Sequence, residues 1–358
     1  MAHPEYVIIS RLVRVVNHQL DTPEAIRITI RAAMESRTLD NRRLPHLRRT
    51  LLRWYDENPR ELPWRSTRDP YRIWISEIML QQTRVASVLP RYEKFVKRFP
   101  TVEKLASSRL SSVLAEWSGL GYYRRAHNMH AAAKMIARQL KGSFPDSSEE
   151  WRKLPGVGRY TSAAIASIAF NEPIAVLDGN VERVLRRLLH CATATDSWSA
   201  AQELLDRERP GDFNQAMMEL GATICLPGEP LCEQCPIRIH CGTRGRGKLR
   251  NRKPRQLKAS ISVALATKGD AVLLVQRMAG ESLMSGMWEL PKITHSIRNQ
   301  EVSFRVRHSI TVTDYVVSVV AQPEITAESG QWISRRKAHK LPLTGLTKKI
   351  LRKANIIQ

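Results

Sequence analysis

The chain has 358 residues, enough for about two domains that each bury a core. Its 42% hydrophobic and 25% charged content, with no apolar run near the roughly 18 residues of a membrane span, excludes disordered, collagen-like and membrane-embedded classes. Fifty-seven Lys and Arg against 34 Asp and Glu leave a formal charge of +23, so a polyanion, nucleic acid first of all, is the expected partner.

The opening MAHPEYVIISRLVRVV lacks a basic stretch leading into an apolar core and a small-residue cleavage site, which predicts a cytoplasmic, reducing location. Residues 1–44 carry no chemistry; Pro23 to Met34 reads as one amphipathic helix. From Leu44 to about Gly228 a 3.6-residue period predicts short helices at Arg72–Gln82, Arg84–Phe99, Ser111–Ser118, Arg124–Leu140, Tyr160–Phe170, Val181–His190 and Asn214–Cys225. Pro90, Pro100, Pro155 and Pro173 punctuate this all-α half, and Thr101-Val-Glu-Lys and Ser147-Ser-Glu-Glu look like helix starts. Between Pro236 and Lys258 stand nine Lys or Arg, three Gly and no acid, a composition that buries no core and marks a basic linker at 246–258. Beyond it SISVALATKG, DAVLLVQRM, FRVRHSITVT and YVVSVVAQ read as strands and Thr344–Ala354 as a last helix, which makes 259–358 an α+β domain.

Cys225, Cys232, Cys235 and Cys241 follow a six-two-five spacing, close enough to wrap one metal centre. Zinc and a [4Fe-4S] cluster both accept four thiolates, whereas disulfides do not suit a reducing compartment. Cys191 stands apart after an apolar helix and reads as core. In Leu154-Pro-Gly-Val-Gly-Arg-Tyr-Thr161, Gly156 and Gly158 flank Val157 and permit a tight turn between two helices. Amide groups at the start of the second helix would take a phosphate without reading sequence; the plain alternative is a helix connection. Asp178, in Val176-Leu-Asp-Gly-Asn-Val181, reads as a helix N-cap and equally as a carboxylate at a pocket mouth, where it would stabilise a developing sugar cation. A lone Glu on an apolar helix is more often exposed, yet Trp74, Ile78 and Leu80 around Glu77 argue for burial, which raises a carboxyl pKa and suits a proton donor.

The stretch Trp74-Ile-Ser-Glu-Ile-Met-Leu-Gln-Gln-Thr83 resembles the catalytic helix of adenine DNA glycosylases of the MutY type, in the endonuclease III superfamily. The resemblance extends through Leu62-Pro-Trp64, Gly119-Leu-Gly-Tyr-Tyr-Arg124, the glycine hairpin, Asp178-Gly-Asn180, Phe213-Asn-Gln-Ala-Met-Met-Glu-Leu-Gly221 and the cysteines, covering about residues 45–245. Residues 259–358, with Trp288-Glu-Leu-Pro291, resemble the family's Nudix-like domain more loosely. The implied architecture is a mainly α helix-hairpin-helix glycosylase domain with an iron-sulfur loop at 225–241, followed by a smaller α+β Nudix-like domain.

The resemblance implies removal of adenine opposite 8-oxoguanine or guanine from duplex DNA, with a [4Fe-4S] cluster on the four cysteines. It makes Glu77 the acid and Asp178 the cation-stabilising carboxylate or nucleophile, with Tyr160 and Asn180 orienting them. Gln81, Gln82 and Tyr122 would face DNA, Gln82 and Tyr122 wedging into the stack, and Gly156, Val157, Gly158 and Arg238 would take phosphates. Where the family has Phe-Ser-His facing the oxidised base, this chain has Ile310-Thr311-Val312 after Arg307-His308-Ser309, which leaves His308, Ser309 and Thr311 as lesion-recognising candidates. After Pro291 the run KITHSIRNQEVSFRVRH holds a single acid, so the clustered glutamates of a Nudix hydrolase are missing. An oxidised-pyrimidine glycosylase with lyase activity needs a lysine where Tyr160 stands. A thymine mismatch glycosylase tolerates tyrosine there but lacks the Glu and the second domain, and a non-catalytic iron-sulfur DNA-binding protein would leave Glu77 and Asp178 unexplained. The expected protein acts as a monomer on nucleoid DNA, away from membranes.

Overall fold

A computed structural model describes residues 42–191, 193–244, 256–278, 281, 284–293, 302–310, 312–321 and 330–357. The helix expected at Pro23 to Met34, the linker up to residue 255 and Thr311 fall outside the described residues.

The helices follow in chain order as α1 (Leu44–Glu57), α2 (Pro70–Leu80), α3 (Val85–Arg98), α4 (Val102–Ser107), α5 (Leu110–Glu116), α6 (Arg124–Gln139), α7 (Ser148–Trp151), α8 (Arg159–Phe170), α9 (Gly179–Leu189), α10 (Ala194–Leu204) and α11 (Pro210–Thr223). Their starts have local causes. Asp69 accepts from the Tyr71 amide and Pro70 presets the first turn of α2. Thr101 and Ser147, both legible beforehand, cap α4 and α7. Helix α10 was not expected, because ATDSWSAAQEL hides its apolar face in alanines; Thr193 and Asp196 start it with a reciprocal capping box.

The chain divides into two compact units, Met1–Pro59 with Pro173–Leu249, and Arg60–Glu172 with Arg250–Gln358. In the first, α11 packs on α1 and α9 and buries Leu47, Leu51, Leu185, Leu188, Phe213 and Leu220. Two 3-10 turns, Cys232–Gln234 and Arg238–His240, shape its cysteine segment. Cys191, expected in the core, is only half-buried just past α9.

In the second unit α2 is buried nearly all round, and the small residues of α8 (RYTSAAIASIAF) let the two helices pack closely. Among the described residues its C-terminal part holds two four-stranded sheets. The first runs β5-β1-β7-β6, from β1 (Leu257–Leu265), β5 (Lys292–Ile293), β6 (Val302–Ile310) and β7 (Thr313–Ala321), with β1 parallel to β7. The second joins β2 (Thr267–Lys268), β3 (Ala271–Gln276), β4 (Trp288–Glu289) and β8 (Gly330–Ser334). Short α12 (Arg335–Ala338) and α13 (Gly345–Lys353) complete it, over a core of Val272, Leu274, Val317, Val319, Ile350 and Leu351. The segment FRVRHSITVT, expected as one strand, turns over between Ile310 and Thr313, which pair with each other; unbroken β-branched residues conceal the turn.

Candidate active site

Glu77 lies mid-helix on α2 with only 5% exposure, between Ser76 and Ile78, which are also buried. The expected burial is therefore nearly complete. At the helix end Gln81 donates through Nε2 to Thr161 Oγ1 at 2.9 Å, which ties α2 to the start of α8. Gln82 follows in the left-handed region at φ 53° and is exposed. Tyr122 shares that strained conformation at φ 45° and leaves 46% of its surface open. Non-glycine residues rarely take positive φ, and such strain concentrates at functional positions.

The glycine hairpin matches its expected form. Val157 closes a turn onto the Leu154 carbonyl at 3.2 Å, and Gly158 is the N-cap of α8, so no side chain caps that helix. Gly156 sits at φ 77°, and a Cβ there would lie 2.6 Å from Asn128 Cβ on α6; backbone conformation and packing both demand glycine. Tyr160, in the first turn of α8, is half-buried.

A cleft of about 690 Å³ brings several of these residues together: Gln82, Tyr122 and Gly156 line it alongside His308, Ser309 and Ile310 of β6. His308 packs over Gly345, and burial, then the nearby Lys349 charge, lower its pKa, so the ring is neutral at neutral pH. Ser309 donates to Asp314 across the hairpin.

In the other unit Asp178 caps α9. Its Oδ1 accepts the amides of Asn180 at 2.9 Å and Val181 at 2.7 Å, and its Oδ2 accepts Asn180 Nδ2 at 3.1 Å. Capping thus uses one oxygen, and Asn180 orients the other. The Asn180 Oδ1 in turn accepts Arg183 Nη2 at 2.9 Å, while Arg183 Nε donates to the Cys225 carbonyl at 2.8 Å. Arg187, four residues on, donates to Cys225 Sγ at 3.3 Å and to the Leu226 carbonyl at 2.8 Å. Arg183 joins the Asp178–Asn180 pair to the cysteine segment and Arg187 ties that segment to α9, and nothing in their sequence context sets them apart from Arg186.

All four cysteines of the segment are half-buried. Burial raises the Cys232 thiol and pushes Cys235 up to about 11, and repulsion from the neighbouring thiolates adds to both. The donor set itself, four soft cysteine sulfurs within one half-buried segment, is of the kind a metal centre takes. Among the described residues no three of His, Cys, Asp or Glu converge tightly enough for a single metal ion. Arg238, expected at phosphates, pairs with Glu233 in the same segment.

A family profile described as "HhH-GPD superfamily base excision DNA repair protein" matches residues 75–207. The chain is 39% identical over 311 residues to the adenine DNA glycosylase of Rattus norvegicus, across 69% of this chain and 60% of that one. It is 43% identical over 206 residues to that of Buchnera aphidicola subsp. Baizongia pistaciae, across 56% and 59%. The chain thus spans about 60% of the length of these curated relatives. Among solved structures, a thermostable thymine-DNA glycosylase aligns with TM-score 0.53 and 30% identity over 56% of this chain and 96% of that one. With that relative matched along almost its full length, and with the glycine hairpin built as described, this chain belongs to the HhH-GPD superfamily of base excision DNA repair proteins.

Proposed function

We propose that the chain hydrolyses the N-glycosidic bond of adenine opposite 8-oxoguanine or guanine in duplex DNA, after turning the nucleotide out of the helix. The observation that carries this reading is Glu77, a carboxyl buried on the apolar helix α2 in the setting that makes a proton donor. Glu77 protonates the departing adenine and then directs water. Asp178, held as an oriented carboxylate, stabilises the oxocarbenium ion or attacks it transiently, following two-carboxylate glycosidase logic. Asn180 fixes that carboxylate and Tyr160 supports the sugar. Gln82 and Tyr122 enter the base stack, Gln81 supports them, and the hairpin amides at Gly156–Gly158 hold a phosphate.

Residues 259–358 serve as a Nudix-like reader of the oxidised base through His308, Ser309 and Thr311. The thiolates of Cys225, Cys232, Cys235 and Cys241 would hold a [4Fe-4S] cluster, which supplies structural order to a basic DNA-facing loop that includes Arg238 and takes no part in the hydrolysis. Residues 45–245 form the glycosylase domain, 246–258 the linker and 1–44 an extension without assigned role.

The likeness to a thymine-DNA glycosylase structure favours thymine release as the second reading. Tyr160 offers no amine for a Schiff base, so strand cleavage by β-elimination is not expected. Single-turnover incubation of an adenine·8-oxoguanine duplex with borohydride present tests both points. Free adenine and no trapped covalent adduct supports the proposal; free thymine from a thymine·guanine duplex, with adenine retained in its own, overturns it.

A further inference from the structure

Helix α2 ends with carbonyls that have no partner within the helix, as every helix does. One guanidinium gathers them. Arg125 Nη1, from the first turn of α6, donates to the carbonyls of Ile78 at 2.8 Å, Met79 at 2.9 Å and Gln81 at 2.6 Å. Its Nη2 donates to Thr83 Oγ1 at 3.0 Å and to the carbonyls of Leu120 at 3.1 Å and Gly121 at 3.2 Å. The same guanidinium carbon lies 5.3 Å from the centre of the Trp117 ring and 5.6 Å from that of Tyr122. Burial lowers its pKa to about 10, which leaves it charged at neutral pH.

Two features make this more than a helix cap. The acceptors on Gln81 and Thr83 bracket Gln82, and those on Leu120 and Gly121 precede Tyr122, two of the residues held at positive φ in the cleft. The helix it caps also carries Glu77, and a cation at a helix C-terminus is electrostatically favourable there. Lysine would supply the charge but not a planar fork reaching both segments.

We propose that Arg125 is a positioning residue that locks the Gln82 turn and the Tyr122 turn in one register, so that both enter the duplex together and adenine is driven out. This rests on the glycosylase reading above, in which Gln82 and Tyr122 act as wedges.

The test separates extrusion from hydrolysis. A duplex carrying 2-aminopurine, an adenine analogue that brightens when unstacked, opposite 8-oxoguanine is mixed with the full-length chain in stopped flow. Adenine release from the matching adenine duplex is measured in single turnover. Arg125→Gln should keep duplex affinity within about threefold while the fluorescence amplitude drops by about fivefold or more. Adenine release should fall about 100-fold, the penalty of misplacing a reacting geometry by about 1 Å. Arg125→Lys should restore the thermal midpoint more fully than it restores amplitude, a split that a purely structural role would not produce. If Arg125→Gln does not fold, Arg125→Lys decides alone. Wild-type amplitude in either folded variant overturns the assignment of Arg125. A wild-type chain that neither brightens the probe nor releases adenine overturns the glycosylase reading, and the role of Arg125 with it.

Discussion

Replacing Asp178 by Asn removes a charge with almost no change in volume. The new amide oxygen can still accept the Asn180 and Val181 amides that Oδ1 accepts at 2.9 and 2.7 Å. The new NH2 group, however, faces Asn180 Nδ2, which now donates to Oδ2 at 3.1 Å, so donor meets donor. Turning the Asn180 amide over would relieve that clash and pull its oxygen away from Arg183 Nη2. One charge-assisted hydrogen bond is lost either way, about 1.5–3 kcal/mol, and the loss of a negative charge at the N-terminus of α9 adds about 0.3–1 kcal/mol. The thermal midpoint should therefore fall by about 5–10 °C, with the protein still folded at 25 °C. Chemistry should suffer more. A fixed anion beside a forming cation is comparable to an oxyanion-hole donor, so single-turnover adenine release should drop by about 10²–10³-fold or more, with duplex affinity within about threefold. Release within about tenfold of wild type, per folded molecule, would refute the role given to this carboxylate.

Glu77→Gln should likewise stop adenine release in single turnover while a gel-shift titration shows duplex affinity within about threefold, because it keeps the shape of α2 and removes the proton donor. Gly156→Ala combines positive-φ strain with a Cβ 2.6 Å from Asn128 Cβ, which together cost about 2–4 kcal/mol in a melt; duplex affinity should weaken for all sequences alike. Burial lowers the pKa of both His130 and His308, so the unfolded chain binds protons that the folded chain refuses. The thermal midpoint should then fall as pH drops below about 6.5, and His308→Gln should flatten that slope. Iron and sulfide analysis of anaerobically purified protein should find a brown cluster that Cys225→Ser loses; stoichiometric zinc without iron would contradict the assignment.

Local chemistry proved readable where a few adjacent residues decide it. Thr101 and Ser147 announced their helices, Asp178 announced a cap, and the apolar neighbours of Glu77 announced its burial. Periodicity failed where side chains were small or uniformly branched, in alanine-rich α10 and across the β6–β7 turn. The meeting of Gln82 and Tyr122 with His308 in one cleft is a tertiary fact that no local pattern carries. Arg125 was hidden for a different reason. It follows Arg124 in a strongly basic chain, and charge alone does not distinguish a solvated guanidinium from one that collects six acceptors.

Adenine release is the activity we propose for this chain. Single-turnover rates on three otherwise identical duplexes, carrying adenine opposite 8-oxoguanine, adenine opposite thymine, and thymine opposite guanine, test it most directly. Adenine should leave the first duplex fast and the second at least about 100-fold more slowly, and the third should retain its thymine. Equal rates on the first two, or preferential release of thymine, would contradict it.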